Sequence, residues 1–201
     1  MSVATAGETI ENPVNGERLT FLATSRDTDG ELVRIEHTFA PGGFVPAAHV
    51  HPGQEECFQI LSGSPRFRVG DNERTARAGD VLTVPAGIPH TWWNAGDADT
   101  RVVIEFRPAL RTEELFETLY ALGRDGRLNK RGIPNPLLAA VLAKRFENEA
   151  WIAPTKEVLL SRLPPSLIRL LIAVLAPVGR LLGYGAVGRA SPRRPIRVPR
   201  P

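Results

Sequence analysis

A single cysteine, Cys57, rules out an intrachain disulfide, so this 201-residue chain must be held by packing, hydrogen bonds or a bound group. That usage fits a reducing compartment, and a cytoplasmic location is expected. Residues 1–16 lack the basic-then-apolar pattern of a secretory signal. The longest uninterrupted apolar run, Leu170 to Val178, is too short for a bilayer span, which needs ~20 residues. No glycine-rich phosphate loop and no internal repeat is present, and no helix-turn-helix pattern precedes the first strands. Acidic residues are absent beyond Glu157, where eight arginines follow. The net charge of +3 therefore belongs to the C-terminal end, and the rest of the chain is mildly acidic. No specific nucleic-acid partner is expected from such a distribution.

Histidine is the scarcity that matters. The chain has four, and three fall in two short runs. The first run carries Gly43, His49, His51, Glu56 and Gly63; the second carries Gly79, Pro85, Gly87, His90 and Asn94. Side chains at i and i+2 of a strand share a face, so His49 and His51 can aim at one point. Glu56 is expected to reach that point from the next strand, and His90 from a strand across the fold. Three imidazoles and a carboxylate form a donor set of intermediate hardness, and the expected cofactor is one divalent transition metal per chain: Fe, Mn, Ni, Cu or Zn. Glu55 competes with Glu56 for the carboxylate role, but only Glu56 keeps the six-residue spacing to Gly63.

The two spacings, G-x5-H-x-H-x4-E-x6-G and G-x5-P-x-G-x2-H-x3-N, resemble the signature motifs of the cupin superfamily, and every position is filled. The resemblance implies a mainly β fold, a double-stranded β-helix or jelly-roll barrel, with metal held by His49, His51, Glu56 and His90. It covers residues 43–94 strictly and about 10–110 loosely. It assigns no single chemistry, because cupins include enzymes, binding proteins and storage proteins.

Period-two patterning supports the barrel. Residues 18–24 and 32–39 read as strands, the second with Val33, Ile35, His37 and Phe39 on one face. Residues 66–70 and 74–78 read as a hairpin, and 81–84, 91–94 and 100–107 as further strands. Glu56, Phe58 and Ile60 share a parity, as do His90, Trp92 and Asn94. If the ligands face the lumen, Phe58, Ile60 and Trp92 form an apolar pocket wall or simply fill the barrel. His37 is a pocket acid or base or, as the preferred reading, a hydrogen-bonded core histidine. Cys57 should turn away from the metal as a small apolar residue.

Beyond Pro108 the period becomes helical. Thr112 reads as an N-cap, with Glu113 and Glu114 in the first turn. Asn135-Pro136 starts a second helix, which Trp151 to Pro154 closes. A third helical segment spans 156–163. Ser166 caps a fourth, over 167–182, with a kink expected at Pro177. The expected organisation is an N-terminal arm (1–17), a cupin β-barrel (18–109), an α-helical C-terminal extension (110–188) and a disordered basic tail (189–201).

Three functions remain open. The first is a metal-dependent, dioxygenase-like oxygenase acting on a small organic molecule; the resemblance to flavonol-cleaving cupins adds Glu56 as a substrate base. The second is a non-redox isomerase or lyase, with His37 as the candidate base. The third is a non-enzymatic small-ligand-binding or membrane-associated accessory protein. The apolar 166–201 segment suits either burial in a homodimer, which is favoured, or peripheral contact with an anionic membrane.

Overall fold

The structure is a computed structural model that describes residues 4–45, 47–153 and 164–184. The helical segment expected over 156–163 and the basic tail lie outside the described residues.

Two antiparallel sheets face each other. The six-stranded sheet has the order β1 (Thr9–Asn12), β2 (Glu17–Ala23), β3 (Val33–Phe39), β10 (Thr100–Arg107), β5 (Glu55–Ser62), β8 (Val81–Val84). The five-stranded sheet has the order β11 (Trp151–Ile152), β4 (His49–Val50), β9 (His90–Asn94), β6 (Pro65–Val69), β7 (Asn72–Thr75). This mainly β arrangement is the jelly-roll architecture. The segment assigned above to an N-terminal arm contributes the edge strand β1, paired to β2 with Thr9 opposite Thr20.

Alternation dictates the core. Leu19, Phe21, Val33, Ile35, Phe39, Phe58, Ile60, Phe67, Trp92, Val102, Ile104 and Phe106 all point inward and are buried. Burying each such side chain contributes roughly 1.5–3 kcal/mol. Cys57, between Glu56 and Phe58, is half-buried on the opposite face, where Thr83 Oγ1 lies 3.6 Å from its sulfur. Gly63 is confined by its neighbours. Its φ is +85°, and an added Cβ would lie 2.3 Å from Thr100 Oγ1, a position only glycine fills.

The extension adds α1 (Thr112–Arg124), α2 (Pro136–Arg145) and α3 (Pro165–Leu181). Its own core holds Leu122, Leu138, Leu142 and Phe146. Asn135 caps α2, its Oδ1 accepting from Leu138 N at 3.1 Å. Three expectations are corrected here. Thr112 is the first residue of α1 and caps nothing; its buried hydroxyl instead accepts from Gln54 Nε2 at 2.7 Å. Ser166 lies inside α3, which begins at Pro165, and so is not its cap. Residues Trp151–Ile152 do not merely end α2. They form β11 and pair with β4. α3 continues through Pro177 and packs on α2 at Gly179, where a Cβ would lie 2.7 Å from Val141 Cγ2.

Candidate metal centre

His49 sits in β4 and His51 immediately after it, so the i and i+2 relation brings their rings to 4.9 Å. His90, the first residue of β9, is the direct cross-strand partner of His49, with ring centroids 4.4 Å apart. Glu56 is buried on β5 of the facing sheet. The expected roles of the two later ligands are therefore exchanged: His90 comes from the adjacent strand and Glu56 from across the fold. The reason is topological, since β9 is inserted beside β4 while β5 pairs with β10 and β8. Glu55 points outward and is exposed.

The four side chains each offer a ligand atom, and these atoms lie within 4.8 Å of one another. Each imidazole is oriented by its second nitrogen. The Nδ1 of His49 meets Ala47 O at 3.2 Å, that of His51 meets Glu149 O at 2.5 Å, and that of His90 meets Ile88 O at 2.9 Å. Donation from Nδ1 to a carbonyl leaves the Nε2 lone pair for the centre, as in histidine metal sites generally. The backbone holding His51 is fixed as well: Gly87, a residue of the second motif at φ +80°, donates its N–H to His51 O at 3.0 Å.

Glu56 Oε2 lies 2.6 Å from His90 Nε2 and 3.2 Å from His51 Nε2. The latter contact lacks hydrogen-bond geometry, and His51 Nε2 is a buried nitrogen with no hydrogen-bond partner. A buried, partnerless lone pair aimed at a carboxylate and two imidazoles fits a cation, which would satisfy all four groups together. The cluster could hold a metal ion. Burial and mutual contact shift three of the four groups. Desolvation, then the fields of His90 and His51, lower the His49 pKa to about 3, so its ring is neutral near pH 7. Burial alone would raise Glu56, but the two imidazoles facing it, His51 in close contact and His90 hydrogen-bonded, outweigh burial and hold the carboxyl well below its usual range. For His90, burial is outweighed in the other direction by its bond to Glu56, and its pKa is raised.

The centre opens into a cavity of about 280 Å³. Trp92 lines it, together with Ile104 and Phe106 of β10 and Leu115, Phe116, Leu119 and Phe146 of the extension. Phe58 and Ile60 are fully buried beside it in the barrel core and are not among the lining residues. His37 does line it, at the far end, and is hydrogen-bonded to Tyr120.

Sequence reasoning missed the extension's part in this site. β11 pairs with the ligand strand, Ile152 opposite His49. The Glu149 carbonyl orients His51. Gln54, inside the first motif, donates through Nε2 to Pro108 O at 2.7 Å and to Thr112 Oγ1 at 2.7 Å, latching the start of α1 to the ligand loop.

Geometry and donor set define a jelly-roll barrel with a three-histidine, one-glutamate centre. Residues 35–105 match the family model described as Cupin domain, and the chain carries a cupin domain there. Germin-like protein subfamily T member 2 of Arabidopsis thaliana is 31% identical over 117 residues, 55% of this chain and 48% of that protein. Oxalate oxidase 1 of Hordeum vulgare is 29% identical over 112 residues, 52% of each chain. The chain thus spans about half the length of these curated relatives. An RmlC-like cupin of known structure from Shewanella frigidimarina shares 20% identity at a TM-score of 0.45, covering 54% of this chain and 92% of that one.

Proposed function

We propose that this protein is a metal-dependent oxygenase of the dioxygenase type, acting on a small molecule with a metal-chelating end and an apolar body. The observation that supports this reading most is the opening of the four-residue cluster into a cavity whose lining, among the described residues, is mainly aliphatic and aromatic and includes no lysine or arginine. A dicarboxylate such as oxalate, whose name appears among the relatives, would leave its second charge in that apolar space without a counter-ion, a costly placement. An enol or hydroxylated aromatic ring suits it better.

A bound redox metal would supply the electron transfer between substrate and dioxygen, so that both oxygen atoms enter the product without an external reductant. The chain does the rest. His49, His51 and His90 offer ring nitrogens oriented by backbone carbonyls. Glu56 completes the ligand set and accepts the proton that a chelating hydroxyl releases. Trp92, Phe106 and Phe116 flank the substrate body and exclude water.

The test is oxygen uptake by protein reconstituted separately with Fe, Mn, Ni, Cu and Zn, against a panel of catechols and cyclic enols. Uptake with at least one redox metal, and none with zinc, is the expected result. No uptake with any metal, together with enol–keto isomerisation by the zinc form, would replace this reading with a non-redox isomerase.

A further inference from the structure

The cavity has a second polar end that metal binding does not use. Glu17 opens β2, His37 is central in β3, and Tyr120 lies in α1; all three line the cavity and are buried. β2 and β3 pair with Leu19 opposite His37, so Glu17, two residues from Leu19, projects from the same face. The Tyr120 hydroxyl donates to Glu17 Oε2 at 3.2 Å and stands 3.2 Å from His37 Nε2. Asn15 Nδ2 occupies the other Glu17 oxygen at 2.6 Å.

This end is separated from the metal ligands by about half the length of β10. Val102 is the register partner of His37, and Phe106 that of Glu56, four residues or ~13 Å further along the strand. Ile104 and Phe106 line the space between them. Burial, and then the negative charge and hydrogen bond of Glu17, raise the Tyr120 pKa well above its ordinary value. Its hydroxyl stays protonated and commits that proton to Glu17. What the end presents to an incoming molecule is the Glu17 carboxylate, with His37 Nε2 3.8 Å from its Oε2 and lone pairs still to spare, an acceptor in a largely apolar cavity. Such a site rewards a donor and penalises an anion.

We propose that Glu17, positioned by Tyr120 and Asn15, is a substrate-specificity residue: it selects molecules that carry a hydroxyl donor at the end opposite the metal-chelating group. The proposal rests on the substrate reading above. It narrows that class to elongated chelators with an apolar middle and a distal hydroxyl.

The experiment uses the full chain loaded with zinc, which avoids turnover, and two probes in calorimetric titration: phenylcatechol, and the analogue whose second ring bears a hydroxyl para to the junction. Wild-type protein should bind the hydroxylated probe about tenfold more tightly, the scale of one charge-assisted hydrogen bond. Glu17→Gln should cut that preference below about threefold while leaving phenylcatechol affinity within about twofold. The double variant Glu17→Leu/Tyr120→Phe, which makes this end apolar, should reverse the preference. Equal wild-type affinities, or a preference unchanged in Glu17→Gln, would overturn the proposal alone. Failure of both probes to bind zinc-loaded protein would overturn it together with the substrate reading.

Discussion

At the residue scale, the four-residue cluster that could hold a metal was legible because its spacing is local. His49 and His51 are two apart, at and just beyond the end of β4, and the spacing to Gly63 selects Glu56 over Glu55. Burial separates the two carboxylates, Glu56 being enclosed and Glu55 exposed. His49→Ala and His51→Ala should each lower zinc affinity beyond the ~10–100-fold typical of losing an outer hydrogen-bond partner. Glu56→Gln should weaken it far more than Glu55→Gln. Calorimetric titration of zinc into each variant checks both statements; equal effects at 55 and 56 would mean that the site does not use the buried carboxylate. The His37–Tyr120–Glu17 group was not legible. Its members are 20 and 83 residues from His37 in sequence, and nothing local marks a tyrosine on an amphipathic helix as the partner of a strand histidine.

At the element scale, the expected strands and the first two helices follow from period and capping, while the joint between barrel and extension does not. β11 has two residues, too short to show alternation, and the Glu149 group that orients His51 is a backbone carbonyl, which carries no residue identity. The joint is nonetheless specific. Arg111 pairs with the buried Glu149 carboxylate at 3.1 Å and lies over the Phe146 ring. Phe146 is itself 1% exposed and lines the cavity. Phe146→Ala should destabilise the fold by roughly 3–5 kcal/mol and weaken zinc binding as well, because the turn that carries Glu149 loses its anchor. Thermal unfolding and zinc titration on the same protein test this. A stability loss with unchanged zinc affinity would show that His51 is oriented independently of the extension. Removal of everything after Pro108 should be more severe. It strips the cover from Phe106 and the β11 side of the pairing from β4, and the shortened chain is expected to aggregate; a monodisperse product that retains zinc would contradict that.

At the scale of the whole molecule, α3 poses the remaining question. Its inner side packs on α2 through Ala176 and Gly179, and Gly179 is the point of close helix approach. The opposite side leaves Leu170, Val174 and Leu181 at 58, 57 and 88% exposure. No helix among the described residues is long and apolar enough to cross a membrane, but an apolar helical face can lie in a membrane interface. We propose that an anionic lipid surface covers this face. Charge favours lipid over a second copy: Arg180 and the arginines from 189 onward have no acidic residue among them, so pairing two such helices would bring like charges together. An anionic surface would attract each arginine by ~1 kcal/mol, screened over ~8 Å at physiological salt. Vesicle co-sedimentation should therefore rise with the fraction of anionic lipid and fall with salt. It should drop sharply when Arg193, Arg194, Arg197 and Arg200 become Gln, or when Leu170 and Val174 become Asp. If instead the protein ignores vesicles and sediments as a dimer that Leu170→Asp/Val174→Asp dissociates, the face belongs to a second copy of the chain, and the arginines must find their counter-charges elsewhere.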